Sequence, residues 1–285
     1  MSNRISLYYR IAGINYRITL PRHLLFPSEL YLAPFRTQPC EADHCIDFFM
    51  VDAQPKPEGK PVFSDAYRTV CRTENAVVIY DGGDNCFMRI QRTASQSHIQ
   101  LWKQAVPKHI TVKLILTALG LDTQLINRDG FLLHASYIEY EGKAILFTAP
   151  SGTGKSTQAD LWCRLRGARL LNGDRAALRI QPDGVFVHGV PFCGSSGVSE
   201  NVTLPLRAIV SLSQAPATTI VPLRGLGAFR QIWEGCTVSH WDREQLAACT
   251  DHVSTVLQHV PVFHLACTPD ESAVVALERS LFDLR

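Results

Sequence analysis

The 285-residue sequence lacks the features that define several large classes of protein. It has no uninterrupted apolar run long enough to span a bilayer, and residues 1–6 lack the apolar segment of a secretory signal, so we expect a cytoplasmic protein with no membrane partner. Neither sign of charge dominates: 28 basic and 26 acidic residues give a net charge of +2, and no basic stripe predicts a nucleic-acid partner. Internal repeats and low-complexity segments are also missing, so ordinary globular domains are expected.

The nine cysteines do not form a recognisable framework, because their number is odd and no two of them stand in a C-x-x-C pair. Reduced, mostly buried thiols are therefore expected. The only grouping that suggests zinc contains Cys40, Asp43, His44 and Cys45, and no second ligand pair of suitable spacing accompanies it.

What the sequence does contain is a phosphate-binding loop, which reads A-P-S-G-T-G-K-S-T at residues 149–157. An apolar strand-like segment at 143–148 precedes it, and apolar residues at helical spacing follow it as far as Arg166. A strand, a glycine-rich loop and a helix in this order are typical of a nucleoside triphosphate site, because glycines let backbone N–H groups converge on phosphate and the helix N-terminus adds unpaired donors. The alternative interpretation is a chance Gly/Ser loop.

The motif gives each of its residues an expected role. Lys155 is expected to reach the β- and γ-phosphates of ATP, and the Ser156 hydroxyl to ligate Mg²⁺. The first glycine of the motif is replaced by Ala149, a change that we expect the loop to tolerate because Gly152 and Gly154 remain where it turns most tightly. The predicted nucleotide-binding residues are Ser151, Gly152, Thr153, Gly154, Lys155, Ser156 and Thr157.

The secondary-structure pattern changes near residue 105. Residues 1–105 are predicted as an antiparallel β-rich domain, because short alternating segments are separated there by turn-forming residues, including a hairpin signal at 81–85. The expected role of this domain is to recognise a partner, to cover the core domain or to act as a scaffold. Residues 106–285 are predicted as the nucleotide-binding catalytic domain, entered through a helix over Pro107–Asn127. A hairpin of Phe131–Tyr140 and Ala144–Thr148 leads into the loop. Further strands are predicted at Arg169–Asn172, Ala176–Ile180, Leu206–Leu212 and Thr218–Leu223, and helices at Leu226–Cys236, Asp242–Val260 and Asp270–Leu284.

Residues 130–215 resemble the C-terminal catalytic domain of HPr kinase/phosphorylase. The resemblance rests on Leu133-His134-Ala135-Ser136, the hairpin, the loop, the short helix and the segment Gly167–Asp174. That family shares its nucleotide-binding core with phosphoenolpyruvate carboxykinase, and relatives of it act as peptide-tailoring kinases. The resemblance implies an α/β (α+β) fold with such a P-loop core, ATP and Mg²⁺ as cofactors, a peptide or protein acceptor, and homo-oligomers.

The resemblance also assigns site residues. His134 matches a histidine beside the transferred phosphate, its alternative being a satisfied histidine on a strand. Asp174 matches the second residue of an Asp-Asp pair and would ligate Mg²⁺ together with Ser156, its alternative being a turn or cap residue. The first Asp of the pair, which helps to activate the attacking hydroxyl, is Gly173 here. His134 is the candidate replacement, and Arg175 either neutralises developing charge or pairs with a carboxylate at the surface.

Two functions follow from these residues. The first is an ATP-dependent, Mg²⁺-requiring kinase that phosphorylates a hydroxyl, serine by preference, of a peptide or protein. The second is a non-catalytic ATP-binding regulatory or scaffold protein derived from such a kinase, which the loss of the carboxylate at position 173 keeps open. The polar, glycine-rich segment at 191–201 is predicted either as a mobile loop over the phosphate or as an ordinary connection.

Overall fold

The chain divides into two units, Met1–Gly120 and Leu121–Arg285. The computed structural model describes residues 4–24, 31–105 and 112–282. Within these residues each unit is built around one large sheet, of eight strands in the first unit and nine in the second, with few helices, so the protein is a mixed α/β protein. No helix within the described residues combines the length and the apolar character needed to cross a membrane.

The first unit contains eight strands in the order β1-β2-β3-β8-β7-β6-β5-β4. Alternation in the sequence of β2 matches its burial: one face of the strand carries the buried residues Ile14, Tyr16, Ile18 and Leu20, and the residues between them are half-exposed. The strands are β1 (Arg4–Ile11), β2 (Ile14–Pro21), β3 (His44–Val51), β4 (Pro61–Ser64), β5 (Arg68–Arg72), β6 (Val77–Asp81), β7 (Met88–Arg92) and β8 (Gln96–Trp102).

The prediction of a purely antiparallel first unit is wrong, because β3 pairs in parallel with both β2 and β8. Residues 22–43 separate β2 from β3, and the strands β4 to β7 lie between β3 and β8 in the chain; parallel pairing requires a long crossover connection of this kind. The predicted hairpin at 81–85 is confirmed, since it joins the antiparallel strands β6 and β7. The alternating segments in the sequence included Ile5–Tyr9, Tyr16–Leu20, Cys45–Val51, Val77–Tyr80 and Cys86–Gln91, and β4, β5 and β8 have no counterpart among these.

The single helix predicted over Pro107–Asn127 is replaced by two short helices, α1 (Val112–Leu119) and α2 (Leu121–Ile126). They are separated by Gly120, whose φ of +56° lies in the left-handed region that ends a helix. Residues 106–111, where the prediction began, lie outside the described residues.

The second unit carries the loop, and its hairpin, loop helix and later helices appear close to their predicted positions. The strands β16 and β17 were not predicted. The strands are β9 (Gly130–Tyr140), β10 (Lys143–Thr148), β11 (Arg169–Asn172), β12 (Arg175–Gln181), β13 (Gly184–His188), β14 (Thr203–Gln214), β15 (Thr219–Leu223), β16 (Cys236–Thr237) and β17 (Val262–Cys267). The helices are α3 (Lys155–Arg166), α4 (Gly225–Trp233), α5 (Arg243–His259) and α6 (Glu271–Phe282).

The nine strands follow the order β10-β9-β12-β13-β14-β17-β15, with β11 and β16 added along β9. Strand β14 pairs in parallel with both β10 and β17, so the carboxyl ends of these three strands meet at one edge of the sheet. One apolar core includes residues of α4 and α5, and a second core, around the fully buried Trp162, includes residues of α3 and α6. The loop therefore leaves the sheet at the edge where ligands bind in open α/β sheets.

Helix α5 begins with a side-chain cap, Asp242, which the sequence analysis predicted as the first residue of the helix itself. The Asp242 carboxylate accepts hydrogen bonds from the backbone N–H groups of Glu244 and Gln245, each at 3.2 Å. We expect Asp242→Ala to lower the free energy of unfolding by about 1 kcal/mol, because two N–H groups of the first turn lose their acceptor. Urea denaturation measures the change. Asp251→Ala, an exposed position in the middle of α5, is the control, and an equal loss in that variant would contradict the assignment of the cap.

Candidate active site

The loop at 149–154 joins β10 to α3, so the strand and the helix predicted on either side of it are confirmed. Among the described residues, no side chain caps the N-terminus of α3 at Gly154, which leaves its first N–H groups to a ligand. Lys155 is 7% exposed, and its ammonium donates hydrogen bonds to the backbone oxygens of Ala149 (2.9 Å) and Pro150 (3.2 Å). These two hydrogen bonds connect the first residue of α3 to the first residues of the loop.

Ala149 occupies the first glycine position of the motif without backbone strain. The described non-glycine residues with positive φ are Ala12, Asp129 and Glu141, so Ala149 has an ordinary backbone conformation. Its methyl group packs against the core that contains Trp162. The alanine therefore costs the loop nothing in conformation and adds apolar contact.

The centre of the site lies at His134 and Ala135, where the partners of β9 change on both of its edges. On one edge β10 ends opposite Ala135 and β16 begins opposite Leu133. On the other edge β11 pairs with β9 only from Tyr137 onward, and β12 begins opposite His134. The loop after β10 and the Gly173-Asp174 turn between β11 and β12 consequently emerge at the same level of the strand.

The side chains of His134, Asp174 and Arg175 form a line of polar contacts at this level. The Nε2 atom of His134 lies 3.5 Å from Oδ1 of Asp174, and Nε of Arg175 lies 3.6 Å from Oδ2 of the same carboxylate. Arg175 also donates a hydrogen bond to the Thr237 hydroxyl and lies over the Phe192 ring at 5.6 Å. The carboxylate of Asp174 therefore stands between an imidazole and a fixed guanidinium.

Burial and charge keep His134 neutral. Removal of the ring from water lowers the pKa of His134 below its ordinary value of 6.5, and the positive charges of Lys155 and Arg175 lower it further, against the opposing effect of Asp174. Burial likewise lowers the pKa of Lys155 from 10.5, again against Asp174. At neutral pH the imidazole is thus available to accept a proton.

Asn172 positions Asp174, and the sequence analysis did not identify it. Its side chain is fully buried, and its Oδ1 accepts hydrogen bonds from the backbone N–H groups of Asp174 (2.9 Å) and Arg175 (3.0 Å). Its Nδ2 donates to the Val190 oxygen at 2.8 Å. An Asn directly before Gly-Asp is a signal for a turn closed by a side-chain amide, and that signal was available in the sequence.

Gly173 is required by a close approach of the segment at 193–197. A Cβ atom at this position would overlap Ser196, with its Cβ only 2.5 Å from that of the serine. Ser196 is itself fixed, since its hydroxyl donates to the Cys193 oxygen at 2.6 Å and accepts from the Val198 N–H at 3.2 Å. The space that a carboxylate at position 173 would need is therefore filled by the loop.

A cavity of about 310 Å³ brings most of the predicted site residues together. The two predicted residues absent from its lining are Thr153, which lines a neighbouring cavity, and Arg175, which contacts Asp174. Gly194 and Ser195 also line this cavity, and both belong to the polar, glycine-rich segment at 191–201 that was predicted either over the phosphate or as a connection. The lining residues are His134, Ser151, Gly152, Gly154, Lys155, Ser156, Thr157, Gly173, Asp174, Gly194 and Ser195.

The residues of this cavity fit a magnesium ion bound together with phosphate. Ser156 and Asp174 present hydroxyl and carboxylate oxygens to the same space, and these are the ligands that Mg²⁺ prefers. Within the described part of the chain no group of three or more His, Cys, Asp and Glu side chains is placed to hold a metal, and that statement includes the region of Cys40 and Cys45. One or two protein ligands supplemented by phosphate oxygens is the usual arrangement for this ion.

Comparison with known proteins identifies a family. The sequence model described as SynChlorMet cassette protein ScmC matches residues 100–270, which is more than half of the chain. The chain belongs to the ScmC family. That description names a cassette protein and states no reaction, and a comparison with curated proteins finds no match.

In structure, the chain is weakly similar to the Hpr(Ser) kinase/phosphatase from Coxiella burnetii. The TM-score is 0.32 and the sequence identity is 12%, over 54% of this chain and 92% of the other. A similarity at this level carries no argument about the reaction, so the function of this ScmC family member has to be argued from its own residues.

The packing of Gly173 gives a first prediction for the site. We expect Gly173→Asp to lower the free energy of unfolding by about 1–3 kcal/mol, because the new Cβ overlaps Ser196. Adding Ser196→Gly should recover most of the loss, whereas adding Ser196→Ala should not, since the serine Cβ is itself part of the overlap. Chemical denaturation of the single and double variants measures this. Equal recovery by Gly and Ala at position 196 would show that only the hydroxyl is in the way.

The electrostatics give a second prediction, on the titration of His134. Lys155→Met should raise the pKa of His134 because a positive charge is removed, and Asp174→Asn should lower it because a negative charge is removed. Nuclear magnetic resonance of the imidazole, with the exposed Lys143→Met as control, measures both shifts. Because the folded-state pKa lies below 6.5, the unfolded chain binds the proton first; the contribution of His134 to stability is complete above pH 6.5 and is lost as the pH falls from 6.5 through the lower folded-state pKa. Shifts of the opposite sign would contradict the charge assignment.

Proposed function

We propose that this protein is an ATP-dependent, Mg²⁺-requiring kinase that transfers the γ-phosphoryl group to a hydroxyl, serine by preference, of a peptide or protein. The observation that carries the proposal is the convergence of Lys155, Ser156, Asp174 and His134 on one cavity at the N-terminus of α3. A buried cation, an uncapped helix start and two oxygen ligands beside a neutral base are the parts that phosphoryl transfer needs.

In this proposal the loop and α3 bind the triphosphate. The N–H groups at 152–156 and the ammonium of Lys155 contact the phosphate oxygens, and the 7% exposure of that lysine keeps competing water away. Ser156 and Asp174 would hold Mg²⁺, which when bound would neutralise phosphate charge. The turn closed by Asn172 fixes Asp174 for this role.

His134 takes the place of the base that is missing at Gly173. As the acceptor oxygen forms its bond to the γ-phosphorus and the bond to the β,γ-bridging oxygen breaks, the hydroxyl proton passes to the neutral imidazole. The carboxylate of Asp174, 3.5 Å from Nε2, then stabilises the imidazolium. Arg175 acts through Asp174, since Thr237 and Phe192 hold its guanidinium against that carboxylate.

One observation favours a second function, a non-catalytic ATP-binding regulatory or scaffold protein. The side chain expected to activate the acceptor is missing, and Ser196 occupies its space. In that case the cavity binds nucleotide with no acceptor beside it. Turnover decides between the two functions.

The test is transfer of label from γ-labelled ATP with Mg²⁺ to a peptide library and to proteins of the source cell. Lys155→Met and Asp174→Asn should abolish labelling of a discrete acceptor, while the exposed controls Lys143→Met and Asp183→Asn should label normally. His134→Asn should slow transfer by about 10²–10⁴-fold if the imidazole is the base. ATP binding by the wild type without transfer or hydrolysis would overturn the kinase and support the second function.

A further inference from the structure

The phosphate cavity contains one serine hydroxyl that belongs neither to the phosphate-binding loop nor to the packing around it. Ser195 lines the cavity together with His134, Lys155 and Asp174. The serine is exposed, and its side chain makes no hydrogen bond with any residue that the structure describes. The hydroxyl is therefore not committed to the fold and is available to a molecule bound in the cavity.

The short turn that carries Ser195 is held against Asp174. A Cβ atom added at Gly194 would lie 2.9 Å from the Cβ of Asp174 and 3.3 Å from its Oδ1. The hydroxyl of Ser196 fixes the other side of the turn through two hydrogen bonds to the backbone of the same segment. Ser195 lies between these two anchored residues, so its backbone is placed beside the carboxylate that is proposed to bind Mg²⁺.

The hydroxyls of the cavity come from two different parts of the chain. Ser151, Ser156 and Thr157 belong to the loop and to the first turn of α3, which are proposed to hold the triphosphate, whereas Ser195 lies beside the turn that contains Asp174. In phosphoryl transfer the attacking and leaving oxygens are roughly in line, so the attacking hydroxyl comes from outside the group of residues that binds the β-phosphate. Of these four hydroxyls, that of Ser195 meets the requirement.

We propose that this protein phosphorylates itself on Ser195 within a single chain, a proposal that rests on the proposed function. The Oγ atom of Ser195 forms a bond to the γ-phosphorus of ATP, the bond to the β,γ-bridging oxygen breaks, and ADP leaves. The hydroxyl proton passes to the neutral imidazole of His134, which lines the same cavity. Because the acceptor is already part of the cavity, the reaction avoids the entropy cost of bringing in a second molecule.

The test is mass spectrometry of the purified full chain, intact and fragmented, after incubation with ATP and Mg²⁺. The wild type should gain a single phosphate, and the fragments should place it on Ser195. Lys155→Met and Ser195→Ala should gain none, whereas Ser195→Thr, which keeps a hydroxyl, should be modified at the same position. The matched control is Ser95→Ala, at an exposed serine between β7 and β8, which should be modified to the same extent as the wild type.

The position of the phosphate and the dependence on protein concentration complete the test. The fraction modified per unit time should be independent of protein concentration, as expected for transfer within one chain. Phosphate on a loop residue such as Ser151 would overturn the choice of Ser195. Modification of Lys155→Met by added wild type would exclude transfer within one chain, and phosphate on Lys155→Met purified alone would point to another kinase.

The proposed function and self-phosphorylation can fail separately. A wild type that stays unmodified but hydrolyses ATP or labels another acceptor would contradict self-phosphorylation and leave the proposed kinase standing. A wild type that binds ATP with neither transfer nor hydrolysis would overturn both.

Discussion

The site depends on how two backbone N–H groups of β9 are satisfied where the strand loses its regular partners. The N–H of His134 donates to the Gly235 oxygen at 2.8 Å, and the N–H of Ala135 donates to the Asp174 oxygen at 3.0 Å. Because these bonds replace the missing ladder, β9 continues through the gap without leaving a buried donor unpaired. The same bond that completes the strand fixes the backbone of Asp174, so the position of the carboxylate is a consequence of sheet pairing.

The charges of the site are arranged so that one group stays neutral. Two cations, Lys155 and Arg175, flank a single carboxylate, and the imidazole beside them is partly withdrawn from water. A buried ammonium without compensation is costly, and the loop reduces that cost by turning the carbonyls of Ala149 and Pro150 toward it. The site thus carries two positive charges for binding an anion, and the imidazole of His134 stays neutral beside them.

The parts of this site that the sequence predicted are those encoded by neighbouring residues. The loop, its strand and its helix form one continuous segment, and His134 and Asp174 were placed beside it by a resemblance in motif order. Pairing between distant segments was not predicted: alternation shows which face of a strand is buried but not which strand lies beside it, so the parallel neighbours of β3 were missed. Strand β17, which lies between β14 and β15, was also missed, although its burial alternates from Phe263 to Cys267. Ser196 filling the space beside Gly173 is likewise a contact between segments far apart in the chain.

The contact between position 173 and Ser196 constrains how this chain can change over evolutionary time. An acidic residue at 173 and a side chain of any size at 196 compete for one volume, so the two positions are epistatic. A single substitution that introduces a carboxylate at position 173 meets an occupied space, and a substitution that first empties position 196 gives up the hydrogen bonds that shape the neighbouring turn. Each single substitution therefore gives a less stable protein. A carboxylate at position 173 becomes accessible only when both positions change, so the residue at 196 determines which residues position 173 can accept.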